Sequence, residues 1–147
     1  IQALDLAGRK VTQNFGKNLR HLLWPMTDFI EDNRKNAEMA EFTKPLHQGV
    51  KGLQQLTLLM ISSGMANPNF LASAATDYCR YFGHVLIGYM WARIAVVCLQ
   101  NKEDSFYEAK LASARFFFQK IYPETFGLAA RIQSGPKPLM EYPSEMF

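Results

Sequence analysis

The chain has 147 residues, of which 48% are hydrophobic, 11 are Phe and 6 are Tyr. This length is typical of one domain, and the aromatic content excludes a disordered chain. The formal charge of +3 is spread without any basic run, which argues against a nucleic-acid-binding protein. Residues 51–100 carry only three basic side chains and one acidic side chain, so we expect the core there.

Helical periodicity extends along most of the sequence, and no segment alternates with the period of a strand. Long helices joined by short turns predict an all-α, up-and-down bundle of about four long helices. A short N-terminal helix precedes the bundle, and an extended tail with three prolines follows it. The predicted helical segments cover residues 1–12, 19–35, 37–64, 68–101, 105–121 and 124–133, and the tail covers residues 135–147.

Prolines and glycines mark the predicted helix boundaries in the first half of the chain. Pro25 lies inside an apolar helical pattern and predicts either a kink or a restart. Pro45, after Thr43, gives the same two alternatives. Gly64 is predicted to end its helix, and the Asn67-Pro68 pair begins the next helix, with Asn as the cap.

The second half of the chain carries its own boundary signals. Ser105 and Glu108 have the spacing of a capping box, which predicts a helix start at Ser105. Pro123 breaks this helix, and Gly135 ends the segment that follows it.

The helix predicted from Pro68 to Asn101 is the most apolar in the chain. Its apolar run, Val85 to Leu99, is shorter than the roughly 20 residues that span a membrane. We therefore expect a core helix enclosed by its neighbours. Arg93 lies in this run and is expected to form a structural ion pair with a carboxylate or to bind helix-end carbonyls.

The sequence contains little that predicts a metal or phosphate site. No Glu-x-x-His pair occurs, and Asp77 is the only carboxylate of the central helix. The three histidines, His21, His47 and His84, fall on different predicted helices. Gly49 and Gly52 are spaced as GxxG but lie in a helical pattern, so close helix packing is their favoured role.

Cys79 and Cys98 lie roughly 28 Å apart along one predicted helix, which is too far for a disulfide. We interpret them as two buried free thiols in a reducing, cytoplasmic compartment. Arg80 next to Cys79 raises the alternative of a nucleophilic thiol, but a small core side chain is the favoured interpretation of Cys79.

An aromatic group marks a possible pocket or interface. It comprises Tyr89, Trp91, Phe116, Phe117 and Phe118. Adjacent helix positions are about 100° apart, so the three consecutive phenylalanines cannot share one face. At least one is predicted to point outward and to mark a contact surface.

Three segments carry a family resemblance. IQALDLAGRK at residues 1–10 resembles the stretch directly after the catalytic segment of acyl-CoA dehydrogenases. GHVLIGYMWARIA at residues 83–95 and FYEAKLASARFFFQKIYPE at residues 106–124 resemble the extra C-terminal helical domain of one branch of that family. The resemblance implies a parent enzyme that uses FAD to oxidise an acyl-CoA thioester to its 2,3-enoyl form, in fatty acid metabolism.

The resemblance also implies where the chemistry lies. Ile1 and Gln2 match the Ile-Gln pair that follows the family's catalytic Glu motif, so the base and the flavin contacts are expected upstream of residue 1. Many members carry an Arg soon after this pair. Gly8 holds that position here, and Arg9 is one place later, a rotation of about 100° on a helix. We therefore assign no catalytic, cofactor-binding or metal residue to this chain.

The resulting expectation is an accessory C-terminal domain that serves packing, oligomer contacts or gating of the acyl-CoA site. Residues 1–15 would end the helix leaving the catalytic domain, residues 16–134 form the bundle and residues 135–147 form the tail. Expected partners are the parent's catalytic domain and, through a homo-oligomer, its other subunits. The absence of an initial Met indicates a piece of a longer protein. The alternative is a stand-alone helical interaction module without enzymatic activity.

Overall fold

The computed structural model describes residues 1–11, 13–140, 143 and 145, and every regular element among them is helical. The all-α prediction is therefore confirmed. The helices are α1 (Gln2–Asp5), α2 (Lys17–Asp32), α3 (Ala40–Ala66), α4 (Pro68–Gln100), α5 (Ser105–Phe116), α6 (Glu124–Ser134) and α7 (Lys137–Met140). Two π-helical segments, Leu6–Lys10 and Phe117–Ile121, and two 3-10 segments, Gln13–Gly16 and Ala37–Met39, lie between them.

Helices α3 and α4 form the centre of the bundle and pack along each other as an antiparallel pair. Helix α2 packs beside α3, whereas α5 and α6 pack against α4. Helix α1 and the π-helical segment after it lie against α4. At this contact, a Cβ added to Gly8 would lie 3.3 Å from a methyl carbon of Leu71 in the first turn of α4.

Both internal prolines lie within continuous helices, so neither marks the start of a new helix. Pro25 is inside α2 and Pro45 is inside α3. Each is flanked by side chains that are held in the core, such as Leu23 and Met26 beside Pro25. Burial of these neighbours stabilises the helix through the position where proline removes a backbone hydrogen bond.

One predicted helix end and one predicted capping residue are wrong. Helix α3 continues past Gly64 to Ala66, because Gly64 serves close packing, with only 3.0 Å between an added Cβ and a Leu71 methyl carbon. Helix α5 is capped by Asp104, whose side chain accepts a hydrogen bond from the Phe106 amide. Ser105 is the first helical residue, since the carboxylate one place earlier makes the cap.

The boundary signals of α4 and α6 agree with the sequence, whereas α2 (Lys17–Asp32) is shifted from the predicted range 19–35. Asn67 caps α4 by accepting a hydrogen bond from the Asn69 amide at 2.9 Å, and Pro68 follows at the first helical position. Gly135 ends α6 with a φ of 71°, in the region that favours glycine.

The C-terminal tail is only partly as predicted. Lys137–Met140 form one helical turn instead of an extended chain, since Pro138 falls in a first turn, where proline is tolerated. Residues 141, 142, 144, 146 and 147 of the predicted extended tail lie outside the described residues, as does Thr12 of the predicted first helix.

The tightest packing of the bundle surrounds Tyr122, which is 3% exposed. Its ring lies over Gly88 of α4, where an added Cβ would come within 2.6 Å of a ring carbon. Its hydroxyl lies against Gly49 of α3, and a Cβ there would overlap the oxygen. Gly52 leaves the same kind of space for the Tyr81 hydroxyl. The predicted role of the GxxG glycines in close helix packing therefore holds for both.

The π-helical segment explains how consecutive phenylalanines enter the core. Phe117 and Phe118 are both buried, whereas Phe116 is 59% exposed, so the prediction that one of the three points outward is confirmed. The amide of Tyr122 donates to the Phe117 carbonyl at 2.8 Å, one residue beyond α-helical spacing. The ring centres of Phe118 and Tyr122 lie 5.1 Å apart.

Two glycines of α4 provide a matched test of this packing. We expect Gly88→Ala to lower the free energy of unfolding by about 1–3 kcal/mol, because the new methyl group meets the buried Tyr122 ring. Gly83→Ala is the control, since nothing lies within 4 Å of its added Cβ, and it should raise stability by up to about 1 kcal/mol through helix propensity. Urea unfolding of both variants checks this. Equal effects at the two positions would contradict the packing role.

Candidate functional site

The N-terminal segment places Gly8 and Arg9 on different sides of the helical turn. Gly8 faces Leu71 of α4. Arg9 is exposed, and its guanidinium donates to both carboxylate oxygens of Asp5, at 2.6 and 3.0 Å. Hydrogen bonding from Arg9 holds the pKa of the Asp5 carboxyl below its usual range. The Arg9 guanidinium thus binds Asp5, and Gly8 is a packing position.

A group of charged side chains joins the N-terminal half of α4 to α6. Arg131 donates to both oxygens of Asp77, at 2.9 and 3.0 Å, and this hydrogen bonding lowers the pKa of Asp77. Glu124 pairs with Arg80 through one carboxylate oxygen and with His84 Nε2 at 3.0 Å through the other. These contacts fix the position of α6 on α4, and sequence reasoning did not find them because the partners are 40 or more residues apart.

The two cysteines differ in environment. Cys98 is buried, and burial raises the pKa of its thiol, which disfavours the reactive thiolate. Cys79 is only partly buried, so the prediction of two buried thiols is wrong for it. Its sequence neighbour Arg80 pairs with Glu124. Both cysteines are free, in agreement with the expected absence of a bridge between them.

The three histidines belong to three helices, His21 to α2, His47 to α3 and His84 to α4. Within the described residues, no three or more His, Cys, Asp or Glu side chains come together as a metal site would require. His84 lies against the Phe117 ring, with 6.5 Å between ring centres. Its Nδ1 atom is buried without a hydrogen-bond partner.

Buried tyrosine hydroxyls are the main polar groups of the core. Tyr78 bonds Thr57, which itself donates to the Leu53 carbonyl at 2.7 Å. Tyr81 donates to the Gly49 carbonyl at 3.2 Å. The Tyr122 hydroxyl is buried without a partner. Burial raises the pKa of Tyr78 to about 12 and raises that of Tyr122 further, so both are neutral at physiological pH.

Arg93 does not form the predicted ion pair. It is exposed on α4, and its guanidinium lies 5.6 Å from the centre of the Tyr89 ring, in a cation–π arrangement. No described carboxylate pairs with it. The physical reason is that this face of α4 meets water instead of a neighbouring helix, so the charge needs no buried partner.

Four aliphatic side chains next to Arg93 form what we call the open edge of α4. They are Ile87, Met90, Ile94 and Val97, which are 47%, 52%, 37% and 46% exposed. Phe29 of α2 lines a shallow groove with several of them, and its ring packs edge-on against Tyr89. The prediction that neighbours enclose this helix is therefore wrong along this edge. The sequence shows that α4 is apolar all round, but not which face its neighbours leave uncovered.

Helix α4 is also the one described helix whose length and apolar composition would suffice to cross a membrane. Only 33% of its most apolar stretch is buried inside the chain. Buried core helices have the same length and composition, so this finding is weak evidence for a membrane span.

The arrangement defines an all-helical domain held together by an aromatic core, without an assembled set of catalytic groups among the described residues. The family described as "Acetyl-CoA dehydrogenase C-terminal like" matches residues 22–143. The chain belongs to this family, which confirms the resemblance to the C-terminal domain of acyl-CoA dehydrogenases.

Curated relatives agree with this assignment. A "Butyryl-CoA dehydrogenase" of Syntrophomonas wolfei is 23% identical over 153 residues, which cover 99% of this chain and 25% of that protein. The "Broad-specificity linear acyl-CoA dehydrogenase FadE5" of Mycobacterium tuberculosis is 23% identical over 160 residues, which cover 100% of this chain and 26% of that protein. The chain thus spans about a quarter of the length of the curated relatives it matches.

The hydroxyls of Tyr122 and Tyr78 give opposite predictions. We expect Tyr122→Phe to leave the free energy of unfolding unchanged or to raise it by up to about 1 kcal/mol, because an unpaired buried hydroxyl is removed. Tyr78→Phe should lower it by about 1 kcal/mol, because the bond to Thr57 is lost. Denaturant unfolding of both variants tests this. A loss of stability in Tyr122→Phe as large as in Tyr78→Phe would contradict the unpaired state of Tyr122.

Proposed function

We propose that the chain is the C-terminal accessory domain of an FAD-dependent acyl-CoA dehydrogenase that converts an acyl-CoA thioester to its 2,3-enoyl-CoA. The observation that carries the proposal is the match of almost the whole chain to one quarter of proteins named as acyl-CoA dehydrogenases. In this proposal FAD and the acyl-CoA bind to the rest of the parent enzyme. The parent is a cytoplasmic homo-oligomer that acts in fatty acid metabolism, and nucleic acid is not a partner.

The proposed role of the domain itself is structural. Several of its charged groups join helices within the chain: Asp77 and Glu124 bind α6 to α4, and Arg115 of α5 forks onto Glu41 of α3 at 2.9 to 3.2 Å. Residues 1–15 would lead from the catalytic domain, with residues 16–134 as the bundle and 135–147 as its tail. The domain would serve packing on the catalytic domain, oligomer contacts or gating of the acyl-CoA site.

The proposal is tested by comparing the 147-residue chain with the longer gene product that contains it. Both are reconstituted with FAD, and oxidation of butyryl-CoA and palmitoyl-CoA is measured with an electron acceptor. We expect flavin absorbance and turnover from the longer product only, because the general base and the flavin contacts lie outside residues 1–147 in this proposal.

Two results would overturn it. Turnover by the 147-residue chain would place the catalytic groups inside it. A gene product that begins at Ile1, with neither flavin nor turnover, would favour a stand-alone interaction module.

A further inference from the structure

The two central helices present very different outer edges to water. The exposed positions of α3 from Gln48 to Gln55 are polar, whereas its two large exposed apolar side chains, Leu58 and Met65, lie nearer its C-terminal end. Four of the five exposed positions between residues 87 and 97 of α4 are aliphatic, and the fifth is Arg93. Contiguous exposed apolar side chains on one face are typical of an interaction site, whereas single ones are not.

We propose that the open edge of α4 is the surface on which the catalytic part of the longer polypeptide docks. This inference rests on the proposed function and adds to it the face of the domain that meets its partner. The complementary surface is an apolar patch with a carboxylate opposite Arg93, because Arg93 has a cation–π contact with Tyr89 but no described anionic partner.

The size of the open edge favours a tethered partner over a second copy of this chain. The edge extends from Ile87 to Val97 of one helix, about 15 Å long and about 10 Å wide. A stable complex between free proteins buries about 800 Å² on each partner, which is several times the area of the edge. A domain joined by the polypeptide itself is held at a millimolar effective concentration, so a small contact suffices.

The N-terminal segment, which would join the domain to the catalytic part, lies close enough to the open edge for one folded partner to contact both. Gly8 contacts Leu71 in the first turn of α4, and Ile87 is about 24 Å further along that helix at 1.5 Å per residue. The relative of Syntrophomonas wolfei has about three quarters of its length outside the match, or about three times the length of this chain. A folded part of about 440 residues has a radius of gyration of about 22 Å, wide enough to extend from the N-terminal segment to the open edge.

Methionine oxidation provides a direct readout of whether the edge is covered. Met90 lies in the open edge, and Gln48→Met places an exposed methionine on α3 within about one helical turn of the level of Met90, since the neighbouring Gly49 packs against Val85. The variant chain and the longer gene product carrying the same substitution are treated with hydrogen peroxide. The sulfoxide at each position is then followed by mass spectrometry.

In the 147-residue chain we expect both methionines to oxidise at rates within about threefold, because oxidation follows exposure. In the longer product Met90 should oxidise at least about tenfold more slowly, with position 48 unchanged. Equal rates for Met90 in the two proteins would overturn the docking proposal. Slow oxidation of Met90 already in the 147-residue chain would show that a second copy of the chain covers the open edge. Protection of Met90 only when phospholipid vesicles are added would show that a membrane covers it. Either result would overturn the docking proposal.

A cross-link identifies the occupant. A photoreactive amino acid replaces Val97 in the longer product, and the cross-linked peptide is sequenced. A peptide from outside residues 1–147 supports docking of the catalytic part, whereas a peptide from within these residues contradicts it. Flavin content and butyryl-CoA oxidation are measured on the same preparation. A flavin-containing, active product without protection at Met90 refutes the docking surface alone, whereas a product without flavin or turnover refutes the proposed function.

Discussion

The bundle depends on the insertion of one tyrosine between two helices. Tyr122 fills a notch that exists only because Gly49 of α3 and Gly88 of α4 have no side chains. The π-helical segment Phe117–Ile121 delivers Tyr122 to this notch while Phe117 and Phe118 also enter the core. Edge-on and tilted ring contacts then join Phe42 of α3 to this aromatic group. Because this packing is dense, the register of α3, α4 and the π-helical segment is fixed together.

The packing of Tyr122 between α3 and α4 is not stabilised by a hydrogen bond of its hydroxyl. The hydroxyl of Tyr122 is buried and unpaired, whereas those of Tyr78 and Tyr81 have partners. Ion pairs stabilise the periphery, where Asp77 and Glu124 join α4 to α6. These pairs are partly exposed, so each contributes less than the burial of the aromatic side chains. The domain is thus organised by shape, and its charges orient α6.

The sequence predicted the fold class and most helices because apolar spacing and the Asn67-Pro68 and Pro123 signals are local. It also predicted that one of Phe116–Phe118 faces outward. It could not distinguish a glycine that ends a helix from one that admits a neighbour, which is why Gly64 was misassigned. The position of Arg93 could not be predicted either, since an apolar helix does not reveal which of its faces the other helices leave open. That choice is made by tertiary packing over long sequence separations.

The packing of the other helices on α4 explains why the open edge is exposed. Helices α5 and α6 cover one side of α4, and α3 covers another. Helix α1 and the π-helical segment after it also pack against α4, with Gly8 in contact with Leu71 in its first turn. The open edge, from Ile87 to Val97, is only partly covered by the described residues, and its aliphatic character suits an internal surface of a larger protein.

A double-mutant cycle between Gly88 and Tyr122 tests the central claim most directly. The free energy of unfolding is measured for Gly88→Ala, Tyr122→Ala and the double variant. If the ring and the glycine notch fit each other, Gly88→Ala is expected to destabilise the wild-type background and to have little effect once the ring is absent, which gives a coupling of about 1–3 kcal/mol. The same loss from Gly88→Ala in both backgrounds would contradict the account.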